Sequence, residues 1–160
     1  MNPKVDIELE VNGQRHRLSL EPRQTLADAL REHCGLTGTH LGCEHGVCGA
    51  CTVMIDGQAV RACLIFAVQA QGSRIVTVEG LGEPGALHPL QRAFIEHHAL
   101  QCGFCTAGFL MLAMATLQET PDIDEAGLRD ILASNLCRCT GYKNILTAVK
   151  AAAAEMKARS

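Results

Sequence analysis

The chain has 160 residues, with 14 lysines and arginines against 17 aspartates and glutamates, a formal net charge of −3, and its cations scattered along the sequence. That balance lacks the basic footprint of a nucleic-acid binder. An apolar fraction of 48% supports one ordinary packed domain or two small ones and excludes a disordered tail.

Met1 to Glu8 alternates charged with apolar residues and has no signal-peptide run, which places the chain in the cytoplasm. The longest mainly apolar stretch, Phe109 to Leu117, is far short of the roughly 18 residues of a membrane span.

Val5, Ile7, Leu9 and Val11 alternate with polar residues, and the pattern resumes at Leu18 and Leu20. Between them Asn12-Gly13 supplies the positive φ angles of a type I′ turn, so a β-hairpin with one buried face is predicted. Thr25 to Asp28 reads as a capped helix start that should run to about His33, with Leu26, Ala29 and Leu30 on its apolar face. A cysteine-rich loop follows. Thr52 to Ile55, the Asp56-Gly57 turn and Ala59 to Ala62 form a second hairpin, and Ile75, Val76 and Val78 a closing strand. These elements make an α+β unit over residues 1–80. Gly80, Gly82, Pro84 and Gly85 mark its boundary.

Residues 81–160 read as helical throughout. His88 to His98 has helical periodicity through Leu90, Phe94 and Ile95, and Thr106 to Leu117, apolar all round, is the expected buried central helix. Asp124 caps a third helix, with Ile123 placed to staple against Leu128. A fourth begins near Thr140 and carries Ile145, Val149, Ala152 and Met156 on one stripe. Together they predict a small helical bundle.

Eight of the nine cysteines form two tetrads. Cys43, Cys48, Cys51 and Cys63 have the spacing of a plant-type [2Fe-2S] site, in which a tight loop supplies three thiolates and a later segment the fourth. Glycines interleaved with the first three ligands let the backbone curl around an anion and aim its N–H groups at it. Cys102, Cys105, Cys137 and Cys139 form a second tetrad of two short pairs, each placed just before a predicted helix, where unpaired N–H groups favour thiolates. Structural zinc is the alternative occupant of that tetrad. Disulfides do not suit a chain this long and apolar in a reducing compartment.

Cys43-Glu44-His45 has half of a Rieske signature, but no C-x-x-H follows, so His45 reads as a loop residue. Glu96-His97-His98 lacks the spacing of a zinc-hydrolase helix and reads as a solvated face. Cys34 is left over, and reads as a buried or semi-buried thiol between helix and loop rather than a redox group. Without a catalytic triad, phosphate loop or carboxylate pair, the chain reads as a conductor of electrons whose substrate chemistry lies elsewhere. Three functions compete: a subunit of a larger enzyme, a free-standing ferredoxin-type carrier, and a zinc module.

Leu36 to Val53, Gln101 to Cys105 and Asn135 to Tyr142 closely resemble the iron-sulfur small subunit of the xanthine oxidase family of molybdenum hydroxylases. The resemblance implies a β-grasp ferredoxin domain followed by a four-helix bundle, each with a [2Fe-2S] cluster. It implies a large molybdopterin subunit and a medium FAD subunit as partners, in a dimer of heterotrimers. It further implies that electrons enter at Cys102, Cys105, Cys137 and Cys139 and leave through Cys43, Cys48, Cys51 and Cys63. Gln101 and Cys139 match positions that lie against the pterin. Many relatives carry proline at the position of Ala107, next to Thr106, which is the expected helix cap; this change should leave ligation intact.

Overall fold

The computed structural model describes residues 3–159, so Met1, Asn2 and Ser160, the outermost residues of the two predicted units, lie outside it. β1 (Val5–Val11) and β2 (Gln14–Leu20) pair in antiparallel register around Asn12 and Gly13, whose φ angles of 52° and 76° are those of the predicted turn. Alternation buries Ile7, Leu9 and Val11 on one face. Thr25 accepts from the Asp28 N–H at 3.1 Å while Asp28 accepts in return, which starts α1 (Leu26–Asp28). The helix continues only as a π turn, Ala29–His33, that seats Leu30 in the core.

β3 (Thr52–Ile55) and β4 (Gln58–Arg61) flank Asp56-Gly57 as predicted. β5 (Arg74–Val76) stops before Val78, which lies in a 3-10 turn. Rather than closing an edge, β5 is the central strand of the order β2-β1-β5-β3-β4, parallel to β1 and antiparallel to β3. Asn12 fixes that placement: its side chain donates to Thr77 Oγ1 and accepts from the Thr77 N–H, both at 2.9 Å. Leu9, Leu26, Val53 and Ile75 are fully buried between sheet and helix, each worth about 1.5–3 kcal/mol of apolar transfer.

The rest of the described chain is built on α2 (Pro89–Glu96), α3 (Thr106–Glu119), α4 (Glu125–Leu132) and α5 (Lys143–Ala158). They surround a second core that includes Leu90, Phe94, Phe109, Leu128 and Val149. Asp124 caps α4 by accepting from the Gly127 N–H at 2.8 Å. Two helix starts differ from expectation. Cys105, not Thr106, is the cap residue of α3. α5 opens at Lys143 rather than Thr140, because Gly141 and Tyr142 hold left-handed φ angles of 64° and 68° that no α-helix accommodates. α3 is the hinge pin of the molecule: one side packs in the helical core, and the other sets Met111 and Ala115 against Met54 of β3. Among the described residues no helix is long and apolar enough to cross a membrane.

Candidate metal centres

The loop from His40 to Ala50 has no regular secondary structure and turns repeatedly through left-handed backbone at Glu44, Gly46 and Gly49. This curl brings Cys43 and Cys48 together: the Cys48 N–H points at Cys43 Sγ at 3.3 Å, and the N–H groups of His45 and Val47 also reach that sulfur. These donors, led by the Cys48 N–H, pull the Cys43 thiol down to about 6. Cys51, at the mouth of β3, meets Cys63 from the 3-10 turn after β4. Both are buried in the core of the sheet, and burial, the largest cause, raises the Cys51 thiol to about 11. These four cysteines therefore lie as two sulfur pairs, one toward the surface and one in the core, and among the described residues no three His, Cys, Asp or Glu side chains converge as they would on one metal ion.

The second tetrad has the same plan. Cys102 and Cys139 approach at 3.5 Å between sulfurs and are exposed, while Cys105 and Cys137 pair below them against the helical core. Burial raises the Cys105 thiol to about 12. Burial also pushes Cys137 up, but the Thr140 hydroxyl, 3.1 Å away, and the N–H groups of Thr140 and Cys139 outweigh it and leave the thiol lowered. The four sulfurs line one cavity of about 490 Å³ together with Phe104 and Tyr142. The pairing crosses the sequence motifs, since each member of the 102/105 pair meets one of the 137/139 pair. Gln101 Nε2 donates to the Cys139 carbonyl at 3.1 Å, so the two residues expected to face the pterin lie together at the exposed rim.

Two-plus-two geometry bears on what the thiolates would hold. A [2Fe-2S] core takes two protein ligands at each iron, and a single zinc ion requires four around one point. Sulfurs that associate in pairs fit the two-iron group. His45 turns its Nδ1 to the Cys43 carbonyl. His97 ends α2 and His98 follows it in left-handed backbone. Cys34 is half-buried and burial raises its thiol.

Several residues that the sequence did not single out join the two sites. The Leu136 N–H donates to the Cys48 carbonyl at 2.8 Å, and Asn135 Nδ2 to the Gly49 carbonyl at 3.3 Å. Phe104 stacks on His40 with ring centroids 4.9 Å apart, and its carbonyl bonds His40 Nδ1 at 2.7 Å. Tyr142 accepts from the Cys137 N–H at 2.9 Å. Arg61 reaches Thr52 and Ser134 at once. His40, Phe104, Asn135, Leu136 and Tyr142 lie in the stretches that carry the family resemblance but had no role assigned there, and nothing in the sequence marked Arg61 within its predicted strand.

Known proteins match along nearly the whole chain. A family model described as a 2Fe-2S iron-sulfur cluster binding domain matches residues 9–74, and one described as a [2Fe-2S] binding domain matches residues 77–150. The nicotine 6-hydroxylase small subunit of Paenarthrobacter nicotinovorans is 56% identical over 146 residues, covering 91% of this chain and 88% of that one. The caffeine dehydrogenase subunit gamma of Pseudomonas sp. strain CBB1 is 52% identical over 147 residues, covering 90% and 88%. Among solved structures, quinoline 2-oxidoreductase from Pseudomonas putida 86 superposes with a TM-score of 0.93 at 50% identity, covering 99% of both chains.

Proposed function

Because the chain belongs to the xanthine oxidase family of molybdenum hydroxylases, as an iron-sulfur small subunit with an electron-transfer role in an oxidoreductase, we propose that its two sulfur tetrads are the two ends of an internal wire. Cys102, Cys105, Cys137 and Cys139 hold the [2Fe-2S] cluster that receives electrons. Cys43, Cys48, Cys51 and Cys63 hold the cluster that delivers them. Each cluster carries one electron at a time, so two in series divide a two-electron oxidation into single steps. The observation that carries this reading is the pairing of sulfurs, 43 with 48, 51 with 63, 102 with 139 and 105 with 137. The protein's share is to bury Cys51 and Cys63 and half-bury Cys105 and Cys137, to aim N–H groups at Cys43 and Cys137, and to present Cys102 and Cys139 at the surface.

The exposed rim of Gln101 and Cys139 suits docking against the molybdopterin of a large subunit, with FAD on a medium subunit beyond the first tetrad and a dimer of such heterotrimers as the assembly. The two units meet near residue 80, with a β-grasp domain before it and a four-helix bundle after it, in the cytoplasm. Relatives named for nicotine, caffeine and quinoline favour an N-heteroaromatic substrate for the complex, with aldehydes the alternative that other relatives' names suggest.

The test is spectroscopic. The purified complex should show two distinct [2Fe-2S] EPR signals on reduction and four irons per copy of this chain. Cys102→Ser should remove one signal, leave substrate reduction of molybdenum intact and abolish turnover with the flavin's acceptor. Undiminished turnover in an assembled complex lacking that cluster would refute the wire. Isolation of the chain on its own as a competent carrier would favour the free-standing ferredoxin.

A further inference from the structure

One cation ties the first cysteine loop to the segment leading into the second tetrad. Arg61, the last residue of β4, is half-buried and spends its guanidinium on both sides of the junction. Nη1 donates to Thr52 Oγ1 at 2.6 Å, and Nη2 to the Ser134 carbonyl at 3.0 Å and to Ser134 Oγ at 3.4 Å. Nε makes a longer contact of 3.4 Å with the Gly46 carbonyl. Thr52 Oγ1 in turn donates to the Gly49 carbonyl at 2.6 Å, the same oxygen that Asn135 reaches. A planar fork can serve several acceptors at fixed angles in this way, and an ammonium cannot.

Position gives the charge its meaning. Gly46 lies between Cys43 and Cys48, Thr52 follows Cys51, and Arg61 itself stands two residues before Cys63. The guanidinium thus touches or adjoins every segment that supplies a thiolate to the first tetrad. None of the ion pairs among the described residues involves Arg61, whose hydrogen bonds go to carbonyl and hydroxyl oxygens. A half-buried cation without a carboxylate acts through a lower effective dielectric than a surface one, so its field is felt by whatever anion lies nearby. On the two-cluster reading, that anion is the cluster of the first tetrad. When one electron leaves the second tetrad's cluster and enters the first, no bond is made or broken, and the negative charge beside Arg61 grows by one.

Resting on that two-cluster reading, we propose that Arg61 is a positioning residue that clamps the Ser134–Leu136 segment onto the first cysteine loop and, by its charge, favours residence of the electron on the first tetrad. Flow toward the exit cluster is then biased by a residue that ligates nothing.

Dye-mediated redox titration of the whole complex, followed by the two EPR signals, tests this in wild type, Arg61→Gln, Arg61→Lys and Ser134→Asp. Arg61→Gln should shift the electron's distribution away from the first cluster by about tenfold, which for a one-electron couple is about 59 mV, with the second cluster's potential unchanged. Arg61→Lys should restore most of that potential while still weakening the clamp. Ser134→Asp keeps Arg61 but gives it a carboxylate partner, and should shift the distribution in the same direction as Arg61→Gln. An unchanged separation of the two potentials in Arg61→Gln, or an equal shift in Arg61→Lys, overturns the proposal. Should Arg61→Gln fail to load iron, Ser134→Asp decides: a shift upholds the proposal and none overturns it. A wild-type complex without two cluster signals would instead sink the two-cluster reading itself.

Discussion

Gly108 lies so close beneath the Gly49 carbonyl that a Cβ on it would meet that oxygen at 2.2 Å. α3 therefore contacts the first cysteine loop backbone to backbone, at the carbonyl that also accepts from Thr52 and Asn135. In an exposed helix Gly→Ala gains about 1 kcal/mol from propensity alone. Here Gly108→Ala should instead cost about 1–3 kcal/mol, because a backbone oxygen cannot swing aside and α3 must move off the loop. Thermal unfolding of the chain settles the sign: a variant more stable than wild type would show that the contact has slack.

Asn135 allows a sharper comparison. It is 1% exposed, its Nδ2 reaches the Gly49 carbonyl, and its Oδ1 has no hydrogen-bond partner. Asn135→Leu removes both polar atoms from a site where Gly49 keeps two donors from Thr52, so its cost should stay near 1 kcal/mol. Asn135→Asp leaves an uncompensated charge facing a carbonyl and should cost about 3–5 kcal/mol. Chemical denaturation midpoints of the two variants would reveal this order, and equal values would mean that the pocket admits water.

These two sites show which parts of the molecule were legible in the sequence. Asn12-Gly13 and Asp56-Gly57 declare their turns locally, since the residues that must take positive φ are the ones that tolerate it. The capping residues Thr25 and Asp124 were likewise readable from their own neighbourhoods. The central place of β5 was not, because its pairing with β1 joins residues more than sixty positions apart. α5 was placed too early because Tyr142 is turned left-handed by a fold-level arrangement in which its hydroxyl holds the Cys137 N–H. Cysteine spacing proposed eight ligands in two tetrads but not which sulfurs pair. That depends on how the 137–139 segment lies over the 102–105 turn.

The start of α2 should be sensitive to pH. His88 Nδ1 accepts from the Leu90 N–H at 3.2 Å as the helix cap. Burial, helped by Arg92, pushes the His88 pKa below its ordinary value. The folded chain then binds fewer protons here than the unfolded chain. The cap's contribution is complete above about pH 6.5 and is lost as pH falls through the lower folded value, where the ring nitrogen becomes a donor. Asparagine caps at any of these pH values. The stability advantage of His88 over His88→Asn should thus shrink or reverse between pH 7.5 and 5.5, by up to about 1 kcal/mol. A constant difference across that range would mean that the ring nitrogen is not the working acceptor.

Thiol reactivity in the metal-stripped chain follows from the same donors that would steady a cluster. With Cys43 lowered to about 6 by the Cys48 N–H and its neighbours, its thiolate predominates at pH 7. Cys51 and Cys105, raised by burial to about 11 and about 12, remain protonated. Brief iodoacetamide treatment at pH 7, read by peptide mass spectrometry, should label Cys43 first and Cys51 and Cys105 last. The preference should fade at pH 5, where Cys43 is also protonated. The linkage has opposite signs at the two ends. Cys43 contributes stability that is present at high pH and is lost as pH falls through about 6, whereas Cys105 contributes stability that is lost as pH rises toward about 12. The metal-free fold should therefore be least troubled by its own cysteines between those limits, and a labelling order that places Cys105 before Cys43 would show that the loop uncurls once metal is gone.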